Sequence, residues 1–233
     1  MRRSHQIIGG LAVLCSAGAL IGKVAARKTA VTTPHQQAVP RPSERVAARG
    51  AVTIRTIKAA NPIAAKIVAG AKKQFGTSYD PAYVRIAYPG GDVPRDRGVC
   101  TDVVVRALRH ANYDLQRLIH EDMKKHFALY PKKWGLKRAD SNIDHRRVPN
   151  QMQFFERFGQ TLTKTAAPST ASQWRAGDIV CWRFSNGLYH TGIVSDRLNA
   201  EGLPFVIHNL STCVEEDCLA AWKIIGHYRY PAH

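Results

Sequence analysis

The chain has 233 residues, and 34 Lys or Arg against 17 Asp or Glu give it a formal net charge of +17. Five cysteines in a chain of this length exclude a small fold held together by a disulfide framework. The charge favours an anionic partner through long-range attraction but does not by itself identify one, and solubility alone is an equally simple explanation.

The first 26 residues predict an export signal. "MRRSHQ" supplies two arginines, and the uncharged segment 7–22, "IIGGLAVLCSAGALIG", follows it. Val24 and Ala26 then occupy the small-residue positions of a signal-peptidase site. The apolar run is short for a membrane span of about 20 residues, which favours a cleaved signal. An uncleaved membrane anchor is the alternative. We therefore predict a periplasmic or extracellular protein whose membrane contact is transient and made through the signal peptide only.

Residues 27–60 differ in composition from the rest of the chain. They carry seven basic residues and one acidic residue, with Pro, Ala and Thr scattered among them and no sustained apolar period. This pattern predicts a flexible basic linker followed by one domain over residues 61–233. For an exported protein with this charge, we expect peptidoglycan or another anionic envelope polymer as the partner and no nucleic acid.

The remaining segments change character midway along the chain. The first half shows apolar residues at helical spacing, and the second half shows short apolar strands separated by Asn, Gly and Pro. Helices followed by an antiparallel sheet predict an α+β domain. The predicted helices are 61–76, a segment that starts at Cys100, 114–131 and 150–159, and the predicted strands are 178–184, 190–196, 204–209 and 226–230.

The cysteines differ in their surroundings. Cys15 lies within the predicted signal, and Cys181 lies in an apolar strand where it is expected to be buried packing. Cys213 and Cys218 are close together in "TCVEEDC", and export together with this proximity predicts a disulfide between them. Cys100 is then left without a partner, which in an oxidising compartment marks a candidate reactive thiol.

Cys100 stands in "RGVCTDVVVRAL", at the start of a predicted helix. Free backbone N–H groups and the positive end of the helix dipole at that position lower the pKa of a thiol and can stabilise an oxyanion. A thiol nucleophile also needs a base, and His190 and His208 lie on strands of the second half. One imidazole could take the proton while the other, or Asn209 beside it, orients the first.

This arrangement resembles the NlpC-like branch of the papain superfamily, the cell-wall cysteine peptidases. The pattern is a cysteine at a helix start, a strand that opens "H-x-G-I", and a polar residue on the next strand. An uncharacterised bacterial family of that superfamily is similar in the phrases "YPGGDVP", "GVCTDVV", "EDM", "NIDHRRVPN", "GDIVCW", "HTGIVSD", "VIHN" and "GHYRY". The resemblance covers about residues 75–231.

The resemblance implies a papain-like NlpC-type fold, in which the nucleophile begins a helix packed on the C-terminal sheet. It implies Cys100 as nucleophile, His190 as base and His208 as the orienting residue. The activity it implies is cleavage of an amide in peptidoglycan peptides through an acyl-thioenzyme, with no cofactor and no metal. The sequence departs from the better-known Asp-Cys-Ser-Gly pattern, because Val99 precedes the cysteine and Thr101 and Asp102 follow it.

Several polar residues are candidates for substrate binding. The segment "NIDHRRVPN" has no helical or strand period, and its arginines could hold substrate carboxylates through their planar forks; a structural salt-bridge loop is the alternative. Asp102 could cap the helix or point into the cleft, and Tyr88 could lend a hydroxyl or pack as an aromatic ring. The candidates are Tyr88, Asp102, Asp144, His145, Arg146, Arg147 and Asn209.

Two other functions compete with the hydrolase. A catalytically silent module of the same fold could hold envelope polymer with the cleft and the basic linker. A zinc site could instead be built from Cys100, His190 and His208, although these residues lack the close ligand pairs of structural zinc sites.

Overall fold

The computed structural model describes residues 55–232, in which helices cover one side of an antiparallel sheet. The predicted signal peptide, residues 1–26, and the linker up to residue 54 lie outside the described residues. The helices are α1 (Pro62–Lys72), α2 (Cys100–His110), α3 (Leu115–His126) and α4 (Val148–Phe158). The strands are β1 (Arg55–Thr56), β2 (Ser78–Tyr79), β3 (Arg97–Gly98), β4 (Gln160–Thr161), β5 (Ile179–Arg183), β6 (Tyr189–Leu198), β7 (Pro204–Asn209), β8 (Cys213–Glu216) and β9 (Lys223–Arg229).

The helix starts follow local capping chemistry. The Asn61 side chain accepts a hydrogen bond from the N–H of Ala64 at 2.8 Å, ahead of a proline at the first position of α1. Asp114 caps α3 in the same way, by accepting from the N–H of Gln116. A short 3-10 turn, Phe127–Leu129, carries the chain from α3 to Pro131.

The main sheet has the order β4-β9-β5-β6-β7-β8, and β1 pairs with the far end of β6. Each pairing in this sheet is antiparallel, whereas β2 and β3 form a separate parallel pair. The predicted α+β class, with helices first and an antiparallel sheet afterwards, is confirmed. The four predicted strands correspond to β5, β6, β7 and β9.

Alternation along the central strands divides the sheet into two faces. One face packs with α1, α2 and α4 in the main core, and we name it the helix face; its central residues are Ile179, Cys181, Ile193 and Ile207. The opposite face, which we name the far face, carries a second apolar cluster with Val180, Trp182, Val194 and Val206. Both faces are therefore buried, and the helix face carries the larger core.

The folded part of the chain begins earlier than the predicted boundary at residue 61. Arg55 and Thr56 pair with Leu198 and Arg197, and the N–H of Ile57 donates to the carbonyl of Asp196 at 2.6 Å. The predicted linker therefore overlaps the domain over residues 55–60. A basic, Ala-rich composition concealed a short strand whose partner lies more than 140 residues away in sequence.

The predicted disulfide between Cys213 and Cys218 is wrong, because both are free and buried thiols. Cys213 begins β8 and packs into the helix-face core, whereas Cys218 follows the strand and belongs to the far-face cluster. The sheet therefore separates two thiols that are close in sequence. Cys181 is buried in the core as predicted. Over residues 55–232, no helix combines the length and apolar character that crossing a membrane requires.

Candidate active site

Cys100 is the first residue of α2, as the sequence predicts, and only 6% of its surface is exposed. The residues Val103, Val104, Ala107 and Leu108 bury one side of the helix in the main core, which overrides the strand propensity of three successive valines. Asn209, at the end of β7, fixes the segment before α2, because its Nδ2 donates to the carbonyl of Gly98 at 3.3 Å. The chain therefore presents the thiol at a fixed helix N-terminus against the sheet.

The thiol of Cys100 is protonated at neutral pH in this structure. Burial raises its pKa to about 12, and the charge of Asp102 adds to the increase. Hydrogen bonds from the backbone N–H groups of Thr191, Thr101 and Cys100 itself oppose it. The predicted lowering of this pKa by the helix end is therefore wrong for this structure, because desolvation outweighs the N–H donors.

Three polar side chains form a hydrogen-bonded chain on the far face, which we name the histidine relay. Nε2 of His190 lies 2.9 Å from Nδ1 of His208, and Nε2 of His208 lies 3.0 Å from Oε2 of Glu216. A carboxylate only accepts, so His208 donates from Nε2; with His208 in its neutral form, Nδ1 is then an acceptor, and His190 donates to it from Nε2. This sequence of donors leaves the lone pair of His190 on Nδ1, where it can take a proton.

The relay is enclosed by aromatic rings. The imidazole of His190 stacks on Trp182 with ring centroids 5.5 Å apart, and on Phe184 at 5.4 Å, and Trp222 meets it edge-on. Burial, followed by the neighbouring His208, lowers the pKa of His190 well below its ordinary value. His190 is therefore neutral at neutral pH, and Cys100 and His190 do not form a thiolate–imidazolium pair in this structure.

Cys100 meets the strand of His190 at its backbone rather than at the imidazole. The sulfur lies against the N–H of Thr191, the residue after His190, whereas the His190 side chain projects to the far face with its strand partner Trp182. Over residues 55–232, no hydrogen bond joins the sulfur to the imidazole. The predicted direct contact is thus not made, because alternation along β6 puts neighbouring side chains on opposite faces.

Asp102 caps the helix, which is one of its two predicted roles, and its role in substrate binding stays a prediction. Its Oδ2 accepts from the N–H of Val99 at 2.8 Å, and both carboxylate oxygens receive the fork of Arg146, with Nε–Oδ1 and Nη2–Oδ2 each at 2.9 Å. In this structure, the carboxylate that the Arg146 guanidinium binds is therefore that of Asp102 and belongs to the protein itself. Arg146 also accepts a hydrogen bond from the Thr101 hydroxyl at its carbonyl, so this ion pair fixes the first turn of α2.

The neighbours of Arg146 likewise find partners within the protein. Arg147 donates to Oδ1 of Asp144 at 2.9 Å and lies over the ring of Trp134. Burial raises the pKa of Asp144, and burial followed by Arg146 lowers that of His145 to about 3. These contacts match the salt-bridge loop that was the alternative interpretation of "NIDHRR". A role in substrate binding for these residues stays a prediction.

Tyr88 and Asn209 also lie apart from the relay. Tyr88 packs edge-on against His120, with ring centroids 4.9 Å apart, which is the aromatic alternative. Asn209 donates to the carbonyl of Thr77 as well as that of Gly98, so the residue that contacts the His190 imidazole is His208.

Two residues of the site were missed in the sequence. Glu216 ends the relay, and alternation from His208 through its strand partner Val214 could have identified it. Tyr79 lies near Cys100: burial raises the pKa of its hydroxyl, and the charges of Cys100 and Asp102 raise it further. Tyr79 belongs to a two-residue strand in a turn-rich segment, where no period signals it.

The raised pKa of the thiol makes alkylation of Cys100 strongly dependent on pH. Because only the thiolate reacts, the rate with iodoacetamide should rise about tenfold per pH unit from pH 7 to 9, without a plateau. Mass spectrometry of the peptide that contains Cys100 measures this rate, and Cys100→Ala is the blank. A rate that is already constant between pH 6 and 8 would contradict a protonated thiol.

Comparison with known proteins places the chain in a family. Two crystal structures of an N-acetylmuramoyl-L-alanine amidase from Bacteroides uniformis are similar in fold, with sequence identities of 12% and 11% and TM-scores of 0.47 and 0.45. Each match covers 72% of this chain, and the two matches cover 99% and 98% of the respective amidase chains. "Uncharacterized protein YijF" of Escherichia coli (strain K12) is 56% identical over 167 residues, 70% of this chain and 80% of that protein. Residues 68–230 match the family described as "Domain of unknown function (DUF1287)". The chain belongs to the DUF1287 family.

Proposed function

We propose that the chain is a cysteine hydrolase that cleaves an amide bond in cell-wall peptides through an acyl-thioenzyme. The observation that carries the proposal is the position of the Cys100 sulfur. It lies at a helix N-terminus and against the backbone N–H next to His190, the first member of the histidine relay. The thiol and the N–H donors thus lie on the helix face, one residue along β6 from a base whose imidazole lies on the far face.

The first step requires a local change in the backbone of β6, because the imidazole of His190 lies on the far face and has to reach the sulfur on the helix face. Nδ1 of His190 then accepts the thiol proton as sulfur attacks the substrate carbonyl, and an S–C bond forms while the carbonyl π electrons move to oxygen. The N–H groups of Cys100, Thr101 and Thr191 surround the sulfur and can donate to the oxyanion. This transfer couples deprotonation to attack, so it does not need a resting thiolate.

The second half of the reaction returns the site to its starting state. The oxyanion collapses, the C–N bond breaks, and His190 gives its proton to the leaving amine. A water molecule then loses a proton to His190 and attacks the thioester, which releases the acid and the thiol. Before the reaction, His208 and Glu216 set the acceptor nitrogen of the base through their hydrogen bonds, and the His190–His208 bond breaks when the imidazole moves to the sulfur.

The substrate class follows from charge and predicted location. Without residues 1–26, which hold three basic residues and no acidic ones, the chain keeps a net charge of +14, which attracts anionic polymer, and peptidoglycan peptides carry carboxylates. The signal predicted in residues 1–26 delivers the protein to the envelope. The resemblance to NlpC-like cell-wall peptidases agrees with this substrate, and we include export to the periplasm or the cell exterior in the proposal.

One observation favours a second candidate, the catalytically silent module that binds envelope polymer. Cys100 is buried and protonated, and the His190 imidazole lies on the other face of the strand. In this arrangement the thiol is unreactive. A binding module would keep its affinity for sacculi after the thiol is removed and would release no product.

Defined muropeptides separate the two candidates, with product masses as the measurement. We expect hydrolysis by the wild-type chain and a loss of about 10²- to 10⁴-fold in kcat for His190→Ala, the range of a general base. His208→Ala should cost less, because it removes only the orientation of the base. His126→Ala, an exposed histidine of α3, is the matched control and should be unchanged. Hydrolysis that survives His190→Ala would contradict the mechanism.

A further inference from the structure

The far end of the relay gathers three different metal-ligand types. One ligand atom each of His208, Glu216 and Cys218 lies within 4.8 Å of the others. His208 and Cys218 are buried, while the Glu216 side chain keeps 18% of its surface exposed. The three donors are a nitrogen, an oxygen and a sulfur that converge on one point, with one side open toward solvent.

The strand register produces this convergence. His208 pairs with Val214 across β7 and β8, so Glu216, two residues further on, lies on the same far face. The N–H of Cys218 then donates to the carbonyl of Glu216 at 3.0 Å, and this turn brings the Cys218 side chain back into the far-face cluster. Rigid strands and a hydrogen-bonded turn thus preorganise all three side chains.

We propose that His208, Glu216 and Cys218 bind a zinc ion, and that zinc bound there switches off His190. The ligand set suits zinc, which takes imidazole nitrogen, carboxylate oxygen and thiolate sulfur in a tetrahedral site. Ligand atoms around one such ion lie about 3.5 Å apart, so the side chains need to close by about 1 Å. Water on the exposed side of Glu216 fills the fourth position.

The proposed ligand His208 also has a hydrogen-bond partner outside the ligand set, His190. His208 ligates through Nε2, and its other nitrogen, Nδ1, meets His190 at 2.9 Å. A second hydrogen bond of this kind fixes the ring and tautomer of a metal-bound histidine. The aromatic rings of Trp182 and Trp222 line the same side and restrict access from the rest of the far face.

The effect on His190 follows from the direction of the hydrogen bonds, and this part rests on the proposed function. With Glu216 as acceptor, His208 accepts at Nδ1 and leaves Nδ1 of His190 unprotonated. With zinc on Nε2, neutral His208 must carry its proton on Nδ1 and donate it to Nε2 of His190. His190 then holds its own proton on Nδ1 and cannot take one from Cys100.

Protons balance across the exchange. Zinc replaces the proton on Nε2 of His208 and the one on the Cys218 thiol, and both go to solvent. The proton of the His190–His208 hydrogen bond passes to His208, and His190 takes up one from solvent at Nδ1. One proton is therefore released for each zinc ion bound.

Cobalt(II) is the probe for the site, because sulfur–cobalt charge transfer gives an absorption band. The titration uses the Cys100→Ala chain, so the proposed nucleophile contributes no sulfur. We expect the band in Cys100→Ala and its loss in Cys100→Ala/Cys218→Ser. The band should remain in Cys100→Ala/Cys213→Ser, the matched control, because Cys213 is a buried thiol on the opposite face of the sheet. Zinc should displace cobalt, and Cys218→Ser should weaken zinc binding by at least about 10- to 100-fold, the loss that an outer partner alone causes.

Thermal unfolding supplies a second readout that does not need a spectrum. Zinc should raise the Tm of the wild-type chain and leave that of Cys218→Ala unchanged, and circular dichroism verifies that the variant is folded. A cobalt band that persists without Cys218, or that disappears equally without Cys213, would overturn the site. No rise in Tm with zinc in the folded wild-type chain would also overturn it.

Turnover of muropeptides tests the switch separately. Zinc should inhibit the wild-type chain and should inhibit Cys218→Ser at least about tenfold less strongly, in line with the weaker binding. Equal inhibition of both would mean that zinc acts at Cys100 and would overturn the switch. If the chain hydrolyses no muropeptide, the proposed function fails, whereas the cobalt and Tm results still decide the metal site.

Discussion

Replacing Cys100 with alanine should abolish hydrolysis while the protein keeps its fold. The sulfur forms the covalent intermediate in the proposed mechanism, so its loss should lower kcat by a factor on the order of 10⁴ or more. The structural change is small by comparison. Removing one buried atom from a residue that is 6% exposed should lower the free energy of unfolding by about 1 kcal/mol.

Kinetics with muropeptides and urea unfolding measure the two effects in the same preparation. Cys181→Ala is the matched control, because Cys181 is also a buried thiol of the helix face and hydrogen-bonds Thr191. We expect Cys181→Ala to change stability by a similar amount and to retain turnover. Full activity in Cys100→Ala would eliminate Cys100 as the nucleophile, and equal losses of turnover in both variants would point to packing.

Arg146→Ala should be among the most destabilising single substitutions in the domain. The Arg146 and Asp102 side chains are 3% and 4% exposed, and the variant leaves the Asp102 carboxylate buried without its charged partner. Breaking a buried pair in this way lowers the free energy of unfolding by about 3–5 kcal/mol. The first turn of α2 should loosen with it, because Asp102 also accepts the N–H of Val99 and Arg146 accepts the Thr101 hydroxyl.

Urea unfolding measures this loss, and Arg97→Ala is its control. Arg97 pairs with Asp80 at 3.4 Å, but its side chain is 47% exposed, so its removal should change stability much less than the removal of Arg146. The double variant Arg146→Met/Asp102→Asn removes both charges and should recover part of the loss. Equal effects of Arg146→Ala and Arg97→Ala would contradict a structural role for the buried pair.

Most of the fold could be predicted because its signals are local. The apolar period along 61–76, after Cys100 and along 114–131 predicted helices that overlap α1, α2 and α3. The strands β5, β6, β7 and β9 are apolar runs bounded by turn residues. The two-residue strand β1 has no such signal, since its residues form a strand only through the pairing with β6.

The site was only partly predictable because it depends on which face of the sheet the helices cover. Period two puts His190 and Thr191 on opposite faces, but it does not say which face receives α2. The same ambiguity affects Cys213 and Cys218, which are close in sequence and lie on different faces. The partnership of Arg146 with Asp102 joins residues 44 positions apart, and no local pattern indicates it.

The burial of Cys100 was likewise beyond a sequence argument about helix dipoles. Free N–H groups at the start of α2 do approach the sulfur, as expected, but the balance between them and desolvation depends on the packing of the sheet against the helix. The proposed mechanism therefore requires substrate to displace groups around the thiol and His190 to leave Trp182 and Phe184.

A covalent bond between Cys100 and the acyl half of the substrate distinguishes a thiol hydrolase from a binding module. Wild-type protein mixed with a muropeptide and quenched in acid within one turnover should show a mass increase equal to the acyl fragment. Peptide mapping should place it on the peptide that contains Cys100, and Cys100→Ala should show none. Hydrolysis that proceeds with the acyl group absent from Cys100, or an adduct that forms equally in Cys100→Ala, would contradict the mechanism.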